Sequence, residues 1–120
     1  MTDLGIAYET GKGGLAKDEA QAVRWYRKAA DAGDAISMTA LAVMYETGRG
    51  GLPKDDLQAA SWYRKAADAG DPRGMANLGR YYEYGKGSLP KDETQALAWY
   101  RKAAQLDDSY AQAGLKRLGR

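Results

Sequence analysis

Three stretches of this chain join glycine to a cation in a way that could cradle a phosphate: Gly11-Lys12-Gly13-Gly14, Gly48-Arg49-Gly50-Gly51 and Gly85-Lys86-Gly87-Ser88. A Walker loop needs Gly, four residues, then Gly-Lys followed directly by Ser or Thr, after a strand. Here Gly87 separates Lys86 from Ser88, and no strand pattern precedes any of the three. The competing reading is structural, since glycine adopts the left-handed conformation that ends many helices. A second possible chemistry is a pair of carboxylates, Glu46 and Glu83, of the kind used by hydrolases. The chain has no His and no Cys. That removes the commonest general base, thiolate catalysis, disulfides and zinc-cysteine sites. Geometry alone would have to supply a catalytic site that the composition does not announce. The expectation is a non-enzymatic protein with no cofactor and no metal.

The remaining composition is that of an ordinary globular domain. The 120 residues suffice for one domain with a modest core. Charged residues make up 28% and apolar ones 44%, with no Phe. A net charge of +2 gives little attraction for nucleic acid or an anionic membrane. No apolar run approaches the roughly 20 residues needed to span a bilayer, and no signal peptide is visible. A soluble protein is expected, in the cytoplasm or the periplasm.

What must position any site is a repeat. Trp25-Tyr26-Arg27-Lys28-Ala29-Ala30 returns as Trp62 to Ala67 and as Trp99 to Ala104, 37 residues apart each time. Leu4, Leu41, Leu78 and Leu115 keep that offset, as do Tyr8, Tyr45 and Tyr82, and Gly11, Gly48 and Gly85. Each unit reads as two helices. Met38, Leu41, Met44 and Tyr45 share one helical face, and Gly48 stops it. Asp55 with Gln58 three residues on is a capping-box pattern, repeated at Asp18/Gln21 and Asp92/Gln95. Ala59, Trp62, Tyr63 and Ala66 form the next apolar stripe, ended by Gly70; in the third unit Leu106-Asp107 replaces that Ala-Gly. The Trp-Tyr pair is expected to fill each inter-helix seam. Trp62→Ala would then cost about 3–5 kcal/mol.

Leu78-Gly79-Arg80-Tyr81-Tyr82, Gly85-Lys86-Gly87, Leu89-Pro90-Lys91-Asp92 and Ala98-Trp99-Tyr100-Arg101-Lys102-Ala103-Ala104 resemble the Sel1-like repeat family, relatives of tetratricopeptide repeats. The resemblance covers nearly the whole chain. It implies an all-α fold, a right-handed α/α superhelix (solenoid) of helix-turn-helix repeats with about seven helices. The expected units are about 1–33, 34–70 and 71–107, with a C-terminal capping helix 109–120. First helices of each unit (A) would line a concave surface and second helices (B) the convex back. The resemblance implies an adaptor or scaffold, with bacterial origin and toxin-neutralising immunity-type function among its alternatives. The family's cysteine-rich, penicillin-linked branch fits poorly with a chain that lacks Cys. At Ala42 and Lys116 the family's helix-packing glycine is replaced, which is expected to loosen those helix pairs.

The expected concave groove follows from the face of the A helices opposite their core stripe. In the second unit it carries Ile36, Thr39, Val43 and Glu46. In the third it carries Arg73, Ala76, Arg80 and Glu83, with Tyr84 beside them, and in the last helix Tyr110, Ala113 and Arg117. Ile6 and Glu9 remain of the first. The partner-binding set is therefore Ile36, Thr39, Val43, Glu46, Arg73, Arg80, Glu83, Tyr84, Tyr110 and Arg117. Tyr and Arg are enriched at binding hot spots, and Arg suits carboxylates. A protein or peptide partner with an apolar end and an acidic end is expected. The plainer alternative is ordinary ion pairing, Arg80 with Glu83 or Glu46. On the B helices, Arg27-Lys28, Arg64-Lys65 and Arg101-Lys102 are balanced by nearby Asp31, Asp34, Asp68 and Asp71. A solvated outer face is expected there, not a nucleic-acid site. The first A helix is short, so a homo-oligomer formed through this truncated N-terminal repeat is a further expectation.

Overall fold

The computed structural model describes residues 2–10 and 18–119. These residues form seven helices and no strand: α1 (Thr2–Thr10), α2 (Glu19–Asp31), α3 (Ala35–Thr47), α4 (Asp56–Asp68), α5 (Pro72–Tyr84), α6 (Glu93–Gln105) and α7 (Ser109–Arg117). The caps are those the repeat demands. Asp18, Asp55 and Asp92 sit in extended conformation, and each carboxylate accepts from backbone N–H groups of the first turn at 3.0–3.1 Å. These bonds satisfy donors that have no partner inside the helix.

Gly48 and Gly85 end α3 and α5 with φ of 69° and 68°. The next glycines serve a different purpose. A Cβ on Gly50 would lie 2.5 Å from Val23 Cγ2 and 2.7 Å from the Glu19 carbonyl; one on Gly87 would lie 2.6 Å from the Asp56 carbonyl. Each loop thus folds down onto the start of the preceding B helix, where no side chain fits. The first glycine loop, with Lys12, lies outside the described residues. In the other two, the glycines serve caps and close packing.

Consecutive helices pack side by side along the chain, and α3 also touches α5, and α5 touches α7. No two B helices meet to that extent. Helices α3, α5 and α7 are therefore crowded on the inside of the curve, and the B helices are spread on the outside. The resulting all-α solenoid measures 45 × 27 × 23 Å. Each unit buries its apolar face against its neighbours.

The seam is built on tyrosine more than on tryptophan. Tyr26, Tyr63 and Tyr100 are 1%, 0% and 0% exposed. Trp25, Trp62 and Trp99 are only half-buried, with Lys28, Lys65 and Lys102 Nζ above their rings at 5.0, 4.4 and 4.7 Å. Adjacent helical residues point about 100° apart, so only one of the pair can aim into the A helix. Gly5 and Gly79 make room for the buried rings: a Cβ would come within 2.7 Å of Tyr26 and 2.9 Å of Tyr100. At Ala42, where loosening was expected, Ala42 and Tyr63 are both fully buried. At the C-terminal end Gly114 rather than position 116 gives Tyr100 its close approach.

The buried residues fall into two clusters, one around Tyr26, Leu41 and Met44 and the other around Tyr63, Leu78, Tyr81 and Tyr100. Half-buried Tyr45 and Trp62 pack against both. The cations of the B helices are less free than expected. Arg27 donates to the Tyr45 hydroxyl at 2.6 Å, and Arg64 donates to the Tyr82 hydroxyl, so each ties its helix to the next A helix.

Candidate functional site

The inner wall is organised around a glutamate near the C-terminal end of α1, α3 and α5. Glu9, Glu46 and Glu83 accept from the hydroxyls of Tyr26, Tyr63 and Tyr100, 17 residues further on, at 2.5, 2.8 and 2.6 Å. A second donor arrives from the next A helix, 34 residues on. Arg80 places Nη1 and Nη2 at 2.7 Å from the two oxygens of Glu46. Arg117 bonds Glu83 at 2.7 and 3.2 Å. A third comes from the glycine loop, 40 residues on: Arg49 to Glu9 at 3.0 Å and Lys86 to Glu46 at 2.8 Å. The loop cation thus neutralises a carboxylate of the previous unit, which gives Lys86 and Arg49 a role that phosphate binding would contradict.

Electrostatics follow from this geometry. Burial alone would raise the Glu46 carboxyl, but hydrogen bonds from Arg80, Lys86 and Tyr63 outweigh it and hold the group at about 2. Glu83 is pulled down against the same burial effect by Arg117 and Tyr100. The Tyr63 and Tyr100 hydroxyls are raised by burial and by the adjoining carboxylates. Glu46 and Glu83 are therefore ionised and already engaged on several sides. Neither is placed to activate a water, which disfavours the two-carboxylate chemistry. Among the described residues no group of acidic side chains is arranged to hold a metal ion.

The expected binding residues separate into three kinds. Ile36, Tyr84 and Tyr110 are exposed, at 54%, 57% and 43%, and Arg73 is exposed as well. Thr39 is buried, and its Oγ1 donates to the buried Asp71 carboxylate. It belongs to the contact between α3 and α5, because A helices meet each other directly. Glu46, Arg80, Glu83 and Arg117 are bound to one another across successive units, so the plainer ion-pair reading holds for Arg80 with Glu46. The cations expected to meet the acidic end of a ligand are thereby neutralised at Arg80 and Arg117.

The structure brings Ile36, Val43 and Arg73 together. With Ile6, Ala40, Glu9 and Tyr26 they line one cavity of about 270 Å³ between α1, α3 and α5. Arg73 therefore joins the apolar residues of the second unit, whereas its sequence position grouped it with Arg80 and Glu83 of the third. Tyr84 stands apart, beside Glu83, Lys91 and Leu118. Tyr110 leans on Tyr100 with centroids 6.3 Å apart. Sequence reasoning missed the roles of Tyr26 and Ala40 here, weighed Arg49 and Lys86 only as cations of the glycine loops, and noted Glu9 only in passing. The recurring glutamate-tyrosine offset of 17 and glutamate-arginine offset of 34 were the available signals.

Comparison with known proteins agrees with this architecture. The Sel1 repeat model matches residues 1–34, 35–71 and 72–108. A Sel1 repeat protein from Oxalobacter formigenes is 40% identical, with a TM-score of 0.85 over 97% of this chain and 85% of that one. The protein c5321, a protective antigen of uropathogenic Escherichia coli with an SLR fold, is 36% identical at a TM-score of 0.85. That match covers 92% of this chain but 23% of c5321. Helicobacter pylori cysteine-rich protein B is 26% identical, with a TM-score of 0.74 over 91% of this chain and 86% of its own. The fold is thus shared with a cysteine-rich protein although this chain has no Cys. No curated protein matches. Among the described residues no helix is long and apolar enough to cross a membrane. Three matched repeats, the paired helices and the tyrosine-filled seams lead to one assignment: the chain belongs to the Sel1 repeat family.

Proposed function

We propose that this protein is a non-catalytic interaction module whose concave wall takes a protein or peptide segment. Sel1 repeats commonly serve as protein-interaction modules, and the family is generally a non-enzymatic scaffold. One observation carries the reading to this surface. Of the five large apolar or aromatic side chains exposed among the described residues, Ile36, Tyr84 and Tyr110 lie on A helices. Aromatic side chains left exposed on a concave wall are the usual anchors of a bound segment. The acidic end expected of the ligand loses its support from Arg80 and Arg117, whose charges are matched by glutamates within the wall.

The test is selection of a displayed random dodecapeptide library on the intact chain. Binding of the recovered peptides is then measured to Ile36→Asp, Tyr84→Ala and Tyr110→Ala. At least one of these is expected to weaken binding ten-fold or more, in line with hot-spot behaviour. Peptides that ignore all three, yet are lost on Trp25→Ala at the convex back, would move the interaction off this wall.

A further inference from the structure

The cavity between α1, α3 and α5 is the repeat-equivalent of a place that is filled in the next interval. Shifted by 37 residues, Glu9, Tyr26, Ala40 and Val43 become Glu46, Tyr63, Asn77 and Arg80. There the Arg80 guanidinium occupies the space, bonded to both oxygens of Glu46 and to Asn77 Oδ1 at 3.2 Å. The third interval is filled in the same way by Arg117 on Glu83. In the first, Val43 stands where the arginine should be, and the space is open.

The carboxylate left behind is under-supplied. A carboxylate has about four acceptor positions, and Glu46 uses four: one from Tyr63, two from Arg80 and one from Lys86. Among the described residues Glu9 accepts from Tyr26 and Arg49 alone. Arg49 is itself shared with Glu19, at 2.5 Å. Among the described residues these three side chains carry one net negative charge, and Arg73, the further cation lining the cavity, makes no ion pair with it, whereas Glu46 is bonded by two cations. The walls above Glu9 are Ile6, Ile36, Ala40 and Val43, aliphatic surface of the kind along which an arginine stem lies. Glu9 is still partly open to solvent, with a side-chain exposure of 25%.

We infer that this vacancy is a receptor for an arginine side chain of the bound segment. The stem lies on Ile36 and Val43, and the guanidinium donates to Glu9 as Arg80 donates to Glu46. The inference rests on the concave wall being the binding surface and adds the chemistry of the residue it recognises. Arg73, on the rim, has no carboxylate partner among the described residues. It occupies the place that Tyr110 holds beside Arg80, so its charge opposes an incoming cation.

The test uses the peptides recovered from the displayed library. They are expected to be enriched in arginine. Substituting that arginine by norleucine is expected to weaken binding at least ten-fold, as is Glu9→Gln, because a two-pronged charged bond is lost. Val43→Arg fills the vacancy from within and is expected to abolish binding, while circular dichroism and thermal unfolding show the helices intact. Arg73→Ala is expected to tighten binding. Peptides that instead pair an aliphatic residue with an acidic one, and that weaken on Arg73→Ala, would overturn the arginine receptor. So would peptides that respond to Ile36→Asp or Tyr110→Ala but bind Val43→Arg as well as the parent chain. Either result leaves the concave wall as the binding surface, whereas insensitivity to Ile36, Tyr84 and Tyr110 removes both.

Discussion

A carboxylate clamped by two cations and a phenol, as Glu46 is, ties the stability of the fold to pH. Its folded value of about 2 lies below its ordinary 4.5. A depressed carboxylate contributes stability above its unfolded value and loses it as pH falls through the folded one. The contribution is therefore complete above about pH 4.5 and declines toward pH 2, on the order of 3 kcal/mol in all. Glu83 is depressed in the same direction. Glu46→Gln should lower stability at pH 7 and flatten the acid limb, which urea denaturation at pH 7 and pH 3 will show. A second residue carries strain. Asp107 has φ of 66° at the place where Gly33 and Gly70 have 97°. Non-glycine residues pay for that conformation. Asp107→Gly is expected to raise stability by about 0.5–1 kcal/mol, measured as a higher thermal midpoint.

Between elements, the bonds that matter run from one A helix to the next. The rung from Arg80 to Glu46 and the rung from Arg117 to Glu83 repeat, and at Val43 the rung is absent. Val43→Arg should supply it. Partly exposed ion pairs are weak, so the gain is expected to be at most about 1 kcal/mol, seen as an unchanged or slightly higher melting temperature. A loss of helicity or a drop of several degrees would show that Arg cannot reach Glu9. The helices themselves were legible in the sequence, because capping aspartates, loop glycines and the 37-residue repeat all state the same boundaries. Which face does what was less legible. Thr39 is spaced like a groove residue, yet the direct contact of α3 with α5 buries it. Trp62 and Tyr63 look equivalent in an apolar stripe, and only the crossing of the A and B helices decides that tyrosine goes inside. The pairing of Glu46 with Arg80 was weighed as the plain alternative; its recurrence as Glu83 with Arg117 is visible in the sequence, but spacing alone does not say whether the arginine turns toward the glutamate or toward a ligand.

At the scale of the whole molecule, two core clusters are joined through Tyr45 and Trp62. In a solenoid each unit is held only by its neighbours, so cooperativity depends on such junctions. Trp62 is half-buried and covered by Lys65, so its replacement costs less than a fully enclosed aromatic would. An upper value of about 3 kcal/mol is expected for Trp62→Ala, against about 3–5 kcal/mol for Tyr63→Ala. The more telling change is in shape. Trp62→Ala should broaden the denaturant transition and lower its slope, because the front and rear of the array then melt less in step. Equal midpoints by tryptophan fluorescence and circular dichroism, with an unaltered slope, would mean that Tyr45 alone couples them.

The rung between A helices has a consequence for how such an array can lengthen. The third unit carries Arg80 at one end of its inner face and Glu83 beside it, one half of each fastening. A tandem duplicate of that unit would present its arginine to the original's glutamate and lock on without any new substitution. Copying the second unit would reproduce Val43 instead, and with it another open seat. Growth by duplication can thus add either a closed joint or a fresh socket, depending on which segment is copied.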